Sequence, residues 1–487
     1  MDATVLECGQ VSGMVVNMQA WNQVSLWMDQ IEPPFADRPS LAHDLEVDVA
    51  IVGAGYTGLW TAYYLKRQAP HLSIAVLEAQ TSGFGASGRN GAWLMGHMLG
   101  EEHYLASLPM APRRRAYEWL HGIPDEVEQV LLQEGIDARY RKGGVLTCAA
   151  RYPEQATRLR AQLAELHQHG HADEDYRWMT PEQLAGQVRM AGAYGAIFSP
   201  HCATIHPARL VRGLADAVQR LGVSIYDRSP VEQWRPGQLR TAQATVKARW
   251  IVPAIEGYAG SLQPLGQYQI PVQSLIVATA PLPTSTWAQI GLEHGQAFSE
   301  NSRQVTYAHR SHDDRMVFGA RGGYRFGGRL RPDVPLTQAE LDLRRRLLAE
   351  LFPQLATVEF THAWGGNLSM ARRMRPHMLV DPANGVALAG GYGGEGVGAS
   401  NLAGRTLADL ILGNDSELAR MPWVIRDQSL AQALPRWEPE PWRWLAYKSV
   451  SSVFAAEDRI LANPAARPWK RQAISHLASV FERVLVG

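Results

Sequence analysis

The chain has 487 residues, 47 of them basic and 47 acidic, so its formal net charge is zero. That balance excludes bulk electrostatic attraction to nucleic acid, and the length is enough for two or three domains with a substantial core. Cys8, Cys148 and Cys202 are widely separated and have no metal-ligand spacing, which excludes a disulfide scaffold and suits a reducing compartment.

Residues 1–44 open with acids at Asp2 and Glu7 and contain no basic n-region and no continuous apolar run, so a secretory signal is not expected. Nowhere does the chain reach the roughly 18 apolar residues of a spanning helix. The expectation is a soluble cytoplasmic protein. Pro33, Pro34 and Pro39 make the lead-in irregular, and Trp21 and Trp27 are expected to anchor it to the body.

Val47-Asp48-Val49-Ala50-Ile51-Val52 reads as a strand that runs straight into Gly53-Ala54-Gly55-Tyr56-Thr57-Gly58, followed by helical sequence over 59–65. Strand, G-x-G-x-x-G turn and helix are the context of a dinucleotide fingerprint. Gly53 allows the sharp turn, Gly55 lets backbone approach a pyrophosphate, and Gly58 lets the helix pack on the strand. A second strand over 73–77 ends at Glu78. It lies about 20 residues past the last glycine, where a carboxylate accepts hydrogen bonds from a ribose diol. A bound dinucleotide, NAD or FAD, is expected; the competing reading is a glycine-rich turn in another α/β domain. The loop Gly85-Ala86-Ser87-Gly88-Arg89-Asn90-Gly91 is rich in small residues, so its backbone can lie close to a ligand. Arg89 in its middle is either a group beside the ligand or an ordinary loop arginine.

Helical spacing continues over 111–134, a turn and strand follow at 143–148, and a second amphipathic helix spans 152–171. His167, His169 and His171 close that helix. Their alternate spacing does not place them on one face, so solvated charge is expected rather than a metal site. Thr180-Pro181-Glu182-Gln183 reads as a helix start. A helix over 208–221, a strand from Val223 and another over 245–252 read as a return to the nucleotide domain. Strands at 272–278, 305–309 and 316–319 look antiparallel, with Arg310, Arg321 and Arg325 clustered around the last two, and a helix follows over 338–351.

Val386-Ala387-Leu388-Ala389 is a buried-type strand that delivers a second glycine turn, Gly390 to Gly398, into a helix over 399–412. Such a helix end can stabilise negative charge at the pyrimidine end of a flavin. A plain tight turn would need one glycine, and six of these nine residues are glycine. Just upstream, Arg372, Arg373 and Arg375 suggest an anionic substrate group such as a carboxylate or phosphonate, against the alternative of a solvated basic loop. In the last helical stretch Ile474, Leu477, Phe481, Val484 and Leu485 share a face. Packing on the same chain is preferred over a membrane or dimer surface.

These motifs resemble the FAD-dependent oxidoreductases of the D-amino acid oxidase superfamily, in particular the gamma-glutamylputrescine oxidase branch. The resemblance runs from about Trp21 to about Arg459. Besides the two glycine sites and the Arg89 loop, it includes Thr204-Ile205-His206-Pro207-Ala208-Arg209-Leu210, Ile270-Pro271-Val272-Gln273-Ser274-Leu275, Trp364-Gly365-Gly366 and Trp437-Glu438-Pro439-Glu440-Pro441. It implies an α/β fold with a Rossmann-type FAD-binding domain and a second, antiparallel-sheet substrate domain. The expected segments are a lead-in over 1–44 and an FAD domain assembled from 45–100, 200–262 and 361–412. The substrate domain is expected over 101–199 and 263–360, with a helical extension over 413–487.

By the same resemblance, Gly53, Gly55, Thr57 and Gly58 hold the pyrophosphate, and Glu78 and Ala79 lie at the adenosine ribose. Ala86, Ser87, Gly88, Arg89, Asn90 and Gly91 run along the diphosphate and isoalloxazine. Val231 meets the adenine through its backbone, and Gly391, Gly394, Glu395, Gly396 and Val397 approach the pyrimidine end. The implied chemistry is oxidation of an amine or amino-acid C–N bond by hydride transfer to flavin, giving an imine that water hydrolyses. Oxygen is then the expected acceptor, with release of hydrogen peroxide. No obligatory acid–base residue is identifiable; Arg89, Arg310, Arg321 and Arg372 are candidates for orienting substrate. Non-covalent FAD is expected, because none of the cysteines lies where the sarcosine-oxidase branch tethers its flavin. The sequence departs from the branch at Ala92, where a second glycine is usual, and the following Trp93 would line or narrow the substrate site. Two other readings stay open: a flavin-dependent amine dehydrogenase that passes electrons to a quinone or partner protein, and a non-catalytic FAD-binding protein.

Overall fold

The β-branched run that begins the dinucleotide fingerprint forms the strand Leu45–Val52, whose last four residues are buried on both faces, as a central parallel strand requires. The computed structural model describes residues 24–32, 38–331 and 335–486, except for the side chains of 484–486. Trp21, Cys8, Pro33 and Pro34, and the side chains of Val484 and Leu485, lie outside that description. Leu45–Val52 pairs in parallel with Ile74–Leu77 on one side and with Thr245–Pro253 on the other. The sheet then continues through Ser224–Tyr226 at one edge and through Val386–Gly390, His377–Asp381 and Val424–Arg426 at the other. Strands from four distant parts of the chain thus build one sheet, which is the return expected from the sequence. The helices Tyr56–Gln68 and Gly396–Leu412 pack side by side against it. Their contact is close enough that a Cβ on Gly404 would overlap the Trp60 backbone. The second glycine-rich helix begins three residues before the expected 399, at Gly396.

A second sheet has the order Phe360–Ala371, Gln269–Thr279, Met316–Arg321, Thr306–Arg310, Ala297–Glu300, Val145–Ala149, Gly195–Ser199 and Arg177–Met179. All neighbours are antiparallel except Ala297–Glu300 with Val145–Ala149. The two-stranded ribbon of Trp93–Met95 with Cys202–Thr204 is separate from both sheets.

Three expectations need correction. The segment given to the FAD domain from 361 begins with a long strand of the second sheet, Phe360–Ala371, and the chain crosses back only after it. Gly365 and Gly366 sit inside that strand. The helical span 111–134 is two helices, Met110–His121 and Ile123–Glu134, broken at Gly122 with Pro124 in the first turn of the second. Their buried residues Tyr117, Leu120, Ile123 and Val127 join the same core as Leu59, Trp60 and Leu402. This part of 101–199 therefore packs with the nucleotide-binding layer. Third, Arg310 and Arg321 do not cluster: in the hairpin register Arg310 pairs with Met316 at the turn, while Arg321 lies at the open end.

The Thr180 helix start is present as a capping box with Gln183. Trp27 is buried in a short helix, Leu26–Asp29, and its indole donates to the Asn90 carbonyl at 2.8 Å. At the C-terminus Trp442–Leu461 and Pro468–Val486 pack on each other. The last helix is held to the same chain by Arg471, whose guanidinium forks onto Glu154 with two contacts of 2.7 Å. Its buried centre is Ala478, while Leu477, expected inward, is 42% exposed. Among the described residues no helix is long and apolar enough to cross a membrane.

Candidate active site

Three glycine-rich pieces, Gly53–Gly58, Gly85–Gly91 and Gly390–Gly398, lie around the ends of the parallel strands. The turn Gly53–Gly58 starts the helix Tyr56–Gln68, which has no side-chain cap of its own. Ser87, from the Arg89 loop, reaches across instead, and the Tyr56 amide donates to its Oγ at 2.9 Å. Gly58 is glycine because a Cβ there would overlap the Gly53 carbonyl oxygen. Glu78, at the end of the next strand, accepts from the Ala54 amide at 2.8 Å and from Gln80 at 2.9 Å. Burial nevertheless pushes its carboxyl up to about 7. Val231 lies two residues beyond Ser229, whose amide donates to the Glu78 carbonyl at 2.8 Å, so it flanks the same strand end. Ala79, next to Glu78, is exposed.

The Arg89 loop is fastened to the second sheet. The Trp364 indole donates to the Arg89 carbonyl at 2.9 Å, and a Cβ on Gly366 would stand 3.7 Å from the Arg89 Cβ and 3.8 Å from the Ala86 Cα. Arg89 itself is buried; its Nε donates to the Phe84 carbonyl at 2.7 Å and its guanidinium lies over the Phe84 ring at 4.4 Å. Asn90 closes the loop by donating to Ser87 O and accepting from the Ala92 amide. Ala92 adopts φ 63°. That left-handed conformation is strained by about 1–2 kcal/mol for alanine. The bulky Trp93 follows, 6.1 Å from the Tyr307 ring.

The second glycine turn is latched by a residue the sequence reading missed. Glu256 accepts from the Gly391 amide at 2.8 Å. Nothing local signals this, because the partners are 135 positions apart. Tyr392 in turn meets Thr57 at 3.1 Å, tying the two glycine sites together. Gly394 takes φ 119°, a conformation effectively reserved for glycine. The helix Gly396–Leu412 again begins without a side-chain cap. Glu395, at its N-cap, forms an ion pair with His97. Burial disfavours the imidazolium, but Glu395, reinforced by Glu101, overrides it and holds His97 up to about 9.

Burial also dominates at Glu256, pushing its carboxyl up from the usual 4.5 to about 7. The folded protein then keeps this proton to higher pH than the unfolded chain does. The associated stability is fully present below about 4.5 and is lost as the pH rises through about 7. Glu256→Gln should therefore flatten the fall in urea-unfolding stability between those values, by at most about 3 kcal/mol. Parallel stability–pH curves for the two proteins would refute this assignment.

Of the four arginines considered for substrate, Arg89 is turned onto Phe84 in its own loop, and Arg310 and Arg372 are each held by a carboxylate. Arg310 pairs with Asp314 at 2.6 Å and stacks on Trp287. Arg372 pairs with Glu438 at 2.9 Å and lies over Trp437. Arg325 donates to the Leu330 carbonyl. Arg321, by contrast, has no carboxylate within ion-pair distance among the described residues. Burial lowers its pKa, and the ionisable groups that bear on it are Tyr447, Glu395 and Tyr307. Arg321, Tyr307, Tyr447 and Glu395 are deep yet keep part of their surface accessible, the signature of groups that line an internal space. Tyr447 was also missed by the sequence reading; it comes from the C-terminal extension, packs 5.7 Å from the Tyr324 ring, and completes this wall.

Two helix ends without a cap from their own N-cap residue, a carboxyl at the end of the next strand and a strand that passes within contact distance of the Arg89 loop make a cradle of the kind a dinucleotide needs. The sequence matches the DAO family of FAD dependent oxidoreductases over residues 48–410. The chain belongs to this family, and its cofactor is FAD. It is 28% identical to the gamma-glutamylputrescine oxidoreductase of Escherichia coli (strain K12) over 389 residues, which is 78% of this chain and 87% of that one. It is 27% identical to a probable oxidoreductase, OrdL, of Haemophilus influenzae over 397 residues, 78% of this chain and 86% of that one. Among solved structures, the glycine oxidase from Geobacillus kaustophilus has a TM-score of 0.62 at 22% identity, covering 77% of this chain and 96% of that one. A fructosyl peptide oxidase has a TM-score of 0.64 at 15% identity, covering 81% and 99%. These two likenesses establish the fold, an α/β FAD-binding layer joined to an antiparallel sheet. The family match ends at residue 410, so the helical hairpin that supplies Tyr447 lies beyond it.

Proposed function

We propose that the chain oxidises the C–N bond of a small amine or amino acid that carries an anionic group, with oxygen as the final acceptor. The observation that carries the anionic part is Arg321, a largely desolvated guanidinium with no carboxylate within ion-pair distance among the described residues, grouped with Tyr307 and Tyr447. The amine part is supported by two names: one relative is a gamma-glutamylputrescine oxidoreductase and one structural neighbour a glycine oxidase.

Bound FAD supplies the two-electron acceptor for that oxidation. The protein's own contribution is positioning and charge. The helix end at Gly53, Gly55, Thr57 and Gly58 receives the pyrophosphate, with Ser87 beside it, and Glu78 accepts from the ribose hydroxyls. Ala86, Gly88, Arg89, Asn90 and Gly91 form the floor along the ring system, while Gly391, Gly394, Glu395, Gly396 and Val397 present a positive helix end at the pyrimidine side. Arg321 fixes the substrate anion, and the rings of Trp93, Tyr307 and Tyr447 wall off water. The domain division proposed is the nine-stranded parallel-type layer with helices 102–134 for FAD, and the eight-stranded sheet for substrate. FAD is taken to be non-covalent: Cys148 and Cys202 are buried and free, and burial pushes both thiols up, so neither is a nucleophile at neutral pH. Such thiols suit a reducing, cytoplasmic setting.

The test is anaerobic mixing with a panel of amines, each paired with an analogue that lacks its carboxylate or phosphonate. At least one anionic amine should bleach the flavin absorbance far faster than its neutral analogue, and admission of air should restore the colour with formation of peroxide. If no amine in the panel reduces the flavin, the proposal fails. Fast reduction with negligible oxygen consumption would replace oxygen by another electron acceptor.

A further inference from the structure

We propose that His121, His171 and Asp175, with His201 beside them, form a binding site for a divalent first-row transition-metal ion. None of these residues is among those assigned to the FAD cradle, although the cluster packs on Gly96, next to His97. His121 ends the helix Met110–His121, His171 and Asp175 stand in the turn after the helix Pro153–Gln168, and His201 lies between Gly195–Ser199 and Cys202–Thr204. One donor atom from each of His121, His171 and Asp175 lies within 4.8 Å of the others. Asp175 Oδ1 is 3.3 Å from His121 Nδ1 and 2.8 Å from His201 Nε2. The His121 and His201 rings stack at 3.7 Å, and His171 is 5.3 Å from His121.

His171 points to a ligand most directly. Alternation along 167–171 suggested a solvated residue, yet its side chain is turned inward and only 5% exposed. Among the described residues neither of its ring nitrogens has a hydrogen-bond partner. Every imidazole carries at least one lone pair or N–H at each nitrogen, and burying both unpaired is a rare and unfavourable arrangement that calls for an explanation. A metal ion accepts the lone pair. Aromatic packing, with Tyr117 at 3.9 Å and Tyr176 at 4.9 Å, fixes the ring facing the cluster. Asp175 is held as well: the Ala172 amide donates to Oδ2 at 3.1 Å, leaving Oδ1 toward the histidines. Imidazoles with a single carboxylate are the donor set of zinc, cobalt or nickel, not of calcium or magnesium, which prefer oxygen throughout. Bound metal would cross-link a helix end and two turns.

The experiment uses chelator-treated holoenzyme dialysed against Co2+ or Zn2+, with metal and flavin content measured per chain. Cobalt is also followed in the red, where oxidised flavin is transparent. One ion per chain, displacement of cobalt by zinc, and a rise in unfolding temperature with metal are expected. His171→Ala and Asp175→Asn should each weaken binding by at least roughly 10–100-fold, the loss typical of a mere supporting partner. His476→Ala, at an exposed position of the last helix, should leave it unchanged. Circular dichroism and flavin content identify folded variants, and either of the two variants suffices for the comparison. Less than one ion per wild-type chain, or unchanged affinity in a folded variant, overturns the proposal.

Discussion

A Gly58→Ala protein is expected to purify almost free of flavin. Its new Cβ would overlap the Gly53 carbonyl oxygen and stand 3.0 Å from Ile51 Cγ2 and 3.4 Å from Ala254 Cβ. None of these neighbours yields easily. The Gly53 amide is bonded to Leu77 O at 2.8 Å and the Ala254 amide to Val52 O at 2.8 Å, so the turn is part of the sheet. The helix must lift from the strand instead. Overpacking of this kind costs about 1–3 kcal/mol of stability. The cofactor suffers more, because the first-turn amides move away from the pyrophosphate together. Losing two hydrogen bonds to a charged group, at about 1.5–3 kcal/mol each, weakens binding by roughly 10²–10⁴-fold. Flavin absorbance per chain and titration of the stripped protein with FAD measure this directly. Gly260, with nothing within 4 Å of its Cβ position, provides the control, since Gly260→Ala should bind FAD normally. Full flavin content in Gly58→Ala would show that the turn does not hold the cofactor.

The same contrast explains what could be read from sequence. The fingerprint was legible because its parts are covalently close: a β-branched strand, three glycines at fixed spacing, a helix, and an acid at the end of the next strand. The helix over Gln338–Leu351 was legible for the same reason, with Thr337 capping it. Positions whose meaning depends on strand register were not. Arg310 and Arg321 are near in sequence, yet the antiparallel pairing sends one to the turn and the other to the open end. Gly366 lies on a strand of the second sheet beside the Arg89 loop, a neighbour that only the fold reveals. Glu256 carries no local pattern at all, being a lone acid whose amide partner, Gly391, is 135 positions away. The break between Met110–His121 and Ile123–Glu134 did have a signal, Pro124 just after Gly122. It lost to an apolar periodicity that continues across the break.

Arg321→Leu should separate substrate recognition from stability, because the two effects have opposite signs. In the resting protein Arg321 is a desolvated cation with no carboxylate within ion-pair distance among the described residues, and burial lowers its pKa. Removing an uncompensated buried charge while keeping the apolar volume is neutral or stabilising. The variant should therefore unfold at an equal or higher temperature and retain its flavin, since the FAD cradle is built from other residues. Toward an anionic amine the consequence is the reverse. A charge-assisted pair to a substrate carboxylate, formed where water is excluded, contributes roughly 2–5 kcal/mol when one partner is truncated. The value of kcat/KM for that amine should fall about 10²–10³-fold. For the analogue that lacks the anion, kcat/KM should change little, so discrimination between the two collapses. Arg321→Lys keeps the charge but not the two-pronged geometry, and should recover only part of the loss. A structural role alone would lower stability and flavin content and slow both substrates alike. A guanidinium that serves the substrate leaves the protein at least as stable and costs only the anionic amine its advantage.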